Sequence, residues 1–183
     1  MNTKSIVLID ERVSGYEALV ANLGAETEWF LLDASRDGVE QMQRILAGYA
    51  NLDAMHVVSH GSPGALYLGS TVLNGDNLSS YQTELHSIGS SLTNTGDILL
   101  YGCNLAERDV GVSFVNSFSQ ITGADVAASE DVTGSYNSYE NLELEYNAGK
   151  IDAASFDFEF NDSLGISLAP DIQSLRFVAG IDS

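Results

Sequence analysis

The sequence predicts an α/β domain built on an open, mostly parallel sheet with helices on both faces, followed by C-terminal strands and a tail. Three observations carry that prediction. Short, nearly continuous apolar runs recur along the chain, as expected for strands buried on both faces. Each is followed by turn residues and then by a segment whose apolar positions repeat every three to four residues. The 183 residues are 44% hydrophobic, enough for one core and too apolar for wholesale disorder.

The elements follow in order. Ser5–Asp10 (SIVLID) is the first strand. Ser14 followed by Glu17 has capping-box spacing for a helix that Gly24 would close. Trp29–Asp33 (WFLLD) is the second strand, and Asp37 with Glu40 opens a helix with the apolar stripe Val39, Met42, Leu46 and Tyr49. Ala54–His60 (AMHVVSH) is the third strand. Leu66–Leu68 and Thr71–Leu73 flank Gly69-Ser70, a two-residue hairpin turn. A helix over about 77–92 leads to a fourth strand, Asp97–Gly102 (DILLYG). Asn104 and Glu107 repeat the cap spacing before a helix with Val110, Phe114, Phe118 and Ile121 on its inner side, closed by Gly123. Ala124–Ser129 (ADVAAS) is the fifth strand. Beyond Gly134, Asn141–Tyr146 (NLELEY) and Phe156–Phe160 (FDFEF) alternate with period 2, and the chain from about 161 is loosely patterned. The expected organisation is an α/β domain over 1–148 and a strand, linker and tail over 149–183, at the head of a longer protein.

Composition narrows the function. With 7 Lys+Arg against 26 Asp+Glu the net charge is -19, which repels phosphate backbones and anionic lipid. No nucleic-acid partner and no membrane insertion are expected, since no apolar run approaches the roughly 20 residues of a span. One cysteine excludes an internal disulfide and multi-thiolate zinc sites. Asp10 and Glu11 fall where a signal peptide would still be apolar. Two lysines and abundant Ser, Asn and Gly suggest a secreted or surface protein exported by another route.

In open α/β sheets the chemistry gathers at the carboxyl ends of the strands. Those ends read Asp10, Asp33, His60-Gly61, Cys103-Asn104 and Ser129-Glu130-Asp131. If the third and fourth strands are neighbours, a thiol and an imidazole face one crevice. That pair serves nucleophilic acyl transfer, with thiolate attack and imidazole protonating the leaving amine. The helix expected directly after Cys103 would stabilise its thiolate, and the N–H groups of Gly61 and Cys103 could face a developing oxyanion.

HVVSHGSPGAL and, with Cys103 43 residues beyond His60, DILLYGCNLA resemble the caspase-like (clan CD) cysteine peptidases. More closely, VLIDERV, HVVSHG, ILLYGCNLA and ADVAASEDVTG resemble a bacterial domain of unknown function that heads giant secreted adhesins and calcium-binding repeat proteins. The resemblance implies a caspase/gingipain-like fold. It makes His60 the general acid/base and Cys103 the nucleophile, with Gly61 and Cys103 forming the oxyanion hole. It places a substrate-binding wall at Ala128, Ser129, Glu130 and Asp131, where Glu130 or Asp131 would select a basic P1 residue. It implies a peptide or protein substrate, including this polypeptide itself, with Lys150 or Arg176 as a self-processing site. No cofactor is required, and calcium is the one candidate.

Other readings stand beside this one. Cys103 can be an inert buried cysteine, which leaves a non-catalytic adhesion or assembly module, and a different thiol hydrolase or transferase can use the same dyad. His56 shares a strand face with His60, but four strand residues span about 13 Å, so no metal is expected between them. His56 is expected to be packed or hydrogen-bonded, and His86 exposed. Asp10 and Asp33 suggest a phosphoacceptor pocket, but the third strand ends in histidine and no lysine lies near the fifth, so that reading is rejected.

Overall fold

The computed structural model describes residues 4–133 and 142–156. In chain order the elements are β1 (Ser5–Asp10), α1 (Tyr16–Asn22), β2 (Glu28–Leu32), α2 (Gly38–Leu46), β3 (Leu52–Val58), β4 (Gly61–Ser62), β5 (Ala65–Leu68) and β6 (Thr71–Asn74). A 3-10 turn (Leu78–Tyr81) runs into α3 (Gln82–Gly89), followed by β7 (Leu92–Tyr101), α4 (Arg108–Thr122), β8 (Asp125–Ala128) and β9 (Tyr146–Ala148). The main sheet has the order β2-β1-β3-β7-β8-β9, parallel except for β9 at one edge. The predicted α/β class with a mostly parallel sheet therefore holds. The strand order reverses direction at β1 and β3, which opens a crevice beyond their carboxyl ends.

The strands read as apolar runs because both sheet faces are covered. On one face lie α2, α3, α4 and the β5–β6 hairpin, with Ile6, Leu8, Met55, Val57, Ile98 and Leu100 beneath them. On the other, Val7, Ile9, Ala54, Val58, Leu99 and Tyr101 are covered by α1 and by the segment that includes Leu142, Leu144, Ile151 and Phe156. The stripe Val39, Met42 and Leu46 on α2 is buried as its spacing predicts. Each such side chain contributes about 1.5–3 kcal/mol. Asp37 caps that helix by accepting from the Glu40 N–H at 3.1 Å. The Gly69-Ser70 turn forms as expected, with Leu68 opposite Thr71. Gly69 has φ 58°, and a Cβ there would strike the Arg36 carbonyl, so only glycine lets the hairpin lie this close to the α2 entry.

Several boundaries depart from the sequence pattern. Gly15, in the left-handed region with no side-chain cap, starts α1 instead of Ser14, and Leu23 rather than Gly24 ends it. The helix expected over 77–92 is a 3-10 turn plus a short α-helix, because β7 already begins at Leu92. The third and fifth strands end at Val58 and Ala128, short of His60 and Ser129. Within NLELEY, residues 142–145 lie outside any strand and the sheet is joined only from Tyr146, while the FDFEF alternation lies outside the described residues from 157 on. Val110, expected on the inner side of α4, is 56% exposed. The buried stripe runs through Gly111, Phe114, Val115, Phe118 and Thr122, and Val110, about 100° round the helix from Gly111, faces outward.

Candidate functional site

The third and fourth main-sheet strands of the prediction are direct neighbours. β3 and β7 run parallel with Val58 opposite Tyr101, and the Ser59 N–H continues the ladder to the Tyr101 carbonyl at 3.1 Å. Cys103 lies two residues past Tyr101 and His60 two past Val58, so both emerge at one end of adjacent strands. Gly61 then lies against the backbone that leaves β7. A Cβ there would sit 2.8 Å from the Gly102 carbonyl carbon and 3.0 Å from the Cys103 oxygen. From Gly61 the chain turns into β4, which pairs with β5, so the small sheet carries the histidine loop away from the main one.

His60 is half-buried, and its Nε2 lies 3.1 Å from the Arg12 carbonyl, just past the end of β1. A carbonyl only accepts, so Nε2 carries the proton and a neutral ring presents Nδ1 as its basic nitrogen.

Cys103 is 2% exposed. Its thiol donates to the Thr133 carbonyl at 3.2 Å, and the Thr133 N–H donates back to the sulfur at 3.2 Å. The helix expected to begin beside Cys103 begins at Arg108, with Glu107 as its N-cap and no side-chain bond there. Asn104 instead takes a left-handed φ of 55° within a turn. A helix dipole fades within its first turn, so it does not act on this sulfur.

The turn after Cys103 is stitched to the segment after β8. The Asn104 N–H donates to the Asp131 carbonyl at 2.6 Å and the Ala106 N–H to the Ser129 carbonyl at 2.8 Å. Ala128 and Ser129 are fully buried, the Ser129 hydroxyl being held by the Asp131 backbone, whereas Glu130 and Asp131 are exposed. Of the four wall residues, only those two carboxylates reach solvent. Asp131 is held above the ordinary carboxyl range by partial desolvation first, then by Glu145, Glu143 and Glu130, against a lowering hydrogen bond from Ser129. Lys150 is exposed and paired with Asp152 at 2.6 Å, and Arg176 lies outside the described residues.

The other histidines take plain places. His86 is exposed on α3, beside an open polar groove of about 690 Å³ between α3 and α4 that holds none of the candidate residues. His56 is buried, its Nδ1 3.2 Å from the Tyr101 hydroxyl, and it stacks on Phe156 at 4.5 Å. Among the described residues no group of three His, Cys, Asp or Glu is placed to hold a metal. Asp33 serves a local turn through Ser35, whereas Asp10 is tied both to Arg12 and to the Gly69 N–H of the β5–β6 hairpin.

Sequence reasoning missed Arg12 and Thr133. Arg12 meets His60 through its main-chain carbonyl, a contact that no side-chain pattern announces. Thr133 reaches Cys103 through backbone atoms 30 positions away in sequence, and no side-chain pattern encodes that.

A doubly wound α/β domain with His60 and Cys103 at neighbouring strand ends defines the class. Residues 6–163 match the family model described as Domain of unknown function (DUF4347), and the chain belongs to that family. No curated protein matches it. Among solved structures it is similar to caspase-1 from Spodoptera frugiperda, with 18% identity and TM-score 0.33 over 55% of this chain and 48% of that one. A short chain dehydrogenase family protein from Francisella tularensis subsp. tularensis SCHU S4 overlaps comparably, with 10% identity and TM-score 0.32 over 64% of this chain and 60% of that one. The chain thus spans about half of the first relative and three-fifths of the second. Overlaps this slight carry no inference about activity.

Proposed function

We propose that this domain is a caspase-like cysteine endopeptidase with a His60-Cys103 dyad, acting on a peptide or protein substrate, its own polypeptide included, within a secreted or surface protein. The observation that carries the reading is the adjacency of β3 and β7, with Val58 opposite Tyr101 and each candidate two residues further on. The Cys103 sulfur would attack the substrate carbonyl carbon, and the oxyanion would be received by the N–H groups of Gly61 and Cys103. His60 Nδ1 would take the Cys103 thiol proton as the sulfur attacks and pass it to the leaving amine, and water would then hydrolyse the thioester. The exposed carboxylates of Glu130 and Asp131 favour a basic P1 side chain. Productive attack needs Thr133 to leave the sulfur, so the described arrangement is a closed one.

A second reading, a non-catalytic adhesion or assembly module, draws on one observation: the thiol is 2% exposed and bonded on both sides by Thr133. The pH profile of iodoacetamide labelling at Cys103, in wild type and His60→Ala and with and without calcium, separates the two. An enzyme shows a labelling midpoint well below the ordinary thiol value of about 8.5, moved by loss of His60. An ordinary profile in both proteins supports the module.

A further inference from the structure

We propose that Asp10 is a positioning residue for His60, setting the ring's tautomer and direction through Arg12 and the β5–β6 hairpin. Asp10 ends β1 and is fully buried. Its Oδ1 accepts from the Arg12 backbone N–H at 3.0 Å and from Arg12 Nε at 2.9 Å. Its Oδ2 accepts from Arg12 Nη2 at 3.0 Å and from the Gly69 N–H at 2.7 Å. A carboxylate has about four lone-pair sites, and these four donors fill them. Arg12 Nη2 also donates to the Gly69 carbonyl at 2.5 Å, and the ion pair keeps the guanidinium charged.

Two consequences converge on His60. The pair of bonds to Oδ1 folds residues 10–12 back over the carboxylate, and this turn presents the Arg12 carbonyl to His60 Nε2 at 3.1 Å. The bonds to Gly69 pin the turn of the hairpin whose strand β5 pairs with Gly61 and Ser62. The Tyr67 N–H of β5 donates to the His60 carbonyl itself at 3.0 Å. The group on the histidine ring and the strand on its backbone are therefore both referred to one buried carboxylate. This is the arrangement that a base needs if its ring is to keep one direction through a reaction cycle.

The catalytic consequence rests on the dyad reading, but the positioning does not. Nitrogen-15 spectra of histidine-labelled protein at alkaline pH test it directly. Wild type is expected to show a single His60 tautomer protonated at Nε2. Asp10→Asn and Arg12→Gln are expected to give mixed tautomers, and in Asp10→Asn the Gly69 amide should exchange roughly tenfold faster as its charge-assisted hydrogen bond is lost. Arg12 has a side chain 42% exposed, so Arg12→Gln carries the test if Asp10→Asn does not fold. Folded variants that keep the single Nε2–H tautomer would overturn the proposal, leaving Asp10 a tether for the hairpin alone. If the tautomer changes as expected but Cys103 labelling ignores His60→Ala, the peptidase reading fails and the positioning role stands.

Discussion

The Cys103 sulfur sits between the N–H and the carbonyl of Thr133, 3.2 Å from each. One backbone unit thus supplies both an acceptor for the thiol proton and a donor for the sulfur lone pair. The contact lies where β7 and the segment after β8 leave the sheet, and it closes over the sulfur.

The first prediction follows from that closure. Iodoacetamide must wait for Thr133 to move, so Cys103 should label about 100-fold slower than an unhindered thiol, an opening of roughly 3 kcal/mol. The Thr133 amide leaves the sulfur in the same motion. Its hydrogen exchange, measured under matched conditions, should therefore follow the labelling rate as mild denaturant is added. Labelling that is fast while the amide stays protected would show a different access route.

His56 gives a prediction in pH. Desolvation pushes its imidazole down to about 4 from the usual 6.5. The unfolded chain therefore binds the proton more readily, and stability rises with pH wherever it does. The neutral-ring contribution is fully present above about pH 6.5 and is lost progressively as pH falls towards 4, to a limit of about 3 kcal/mol. Urea unfolding of wild type and His56→Phe across pH 4.5 to 7.5 checks the sign. The variant should lack this part of the slope, although it also loses the Tyr101 hydroxyl bond. An unchanged slope would mean that His56 titrates in the folded protein as it does in a peptide.

The main-sheet strands were legible in sequence because burial on both faces leaves nearly unbroken apolar runs, as in Ser5–Asp10 and Leu52–Val58. The Asp37 cap and the Gly69 turn were legible because each depends on one side chain or one missing Cβ. The Ser14 and Asn104 caps misled for the opposite reason. Their spacing fits a capping box, yet neither side chain caps the helix that follows. Histidine and cysteine at strand ends could be read directly. The Arg12 and Thr133 contacts could not, since both are made by main-chain atoms whose position only the fold decides.

Asp97 fastens the C-terminal segment to the sheet. Its Oδ2 accepts from the N–H groups of Asp152 and Ala153 at 2.8 and 2.7 Å, next to the exposed Lys150. Asp97→Ala removes two charge-assisted bonds and should cost about 2–3 kcal/mol. Asp97→Asn keeps an oxygen acceptor and should cost less. Limited trypsin digestion reads the local effect: cutting after Lys150 should accelerate most in Asp97→Ala. If the stability falls with no change in cutting at Lys150, the carboxylate supports the sheet rather than the segment.

Gly61 and Gly75 make a matched pair for the last prediction. A methyl on Gly61 would press on Gly102 and Cys103 backbone at 2.8–3.0 Å, whereas no atom lies within 4 Å of a Cβ on Gly75. Backbone cannot rotate aside as a side chain can, so Gly61→Ala must push β4 away from the Cys103 turn, at about 1–3 kcal/mol. Gly75→Ala should change stability by no more than about 0.5 kcal/mol. The displaced strand also carries the His60 backbone, so Gly61→Ala should alter Cys103 labelling beyond what its stability loss accounts for. Comparing it with Asp97→Ala, a variant of similar cost in the middle of β7, makes that distinction. Equal labelling in the two would mean that the close approach of Gly61 serves packing alone.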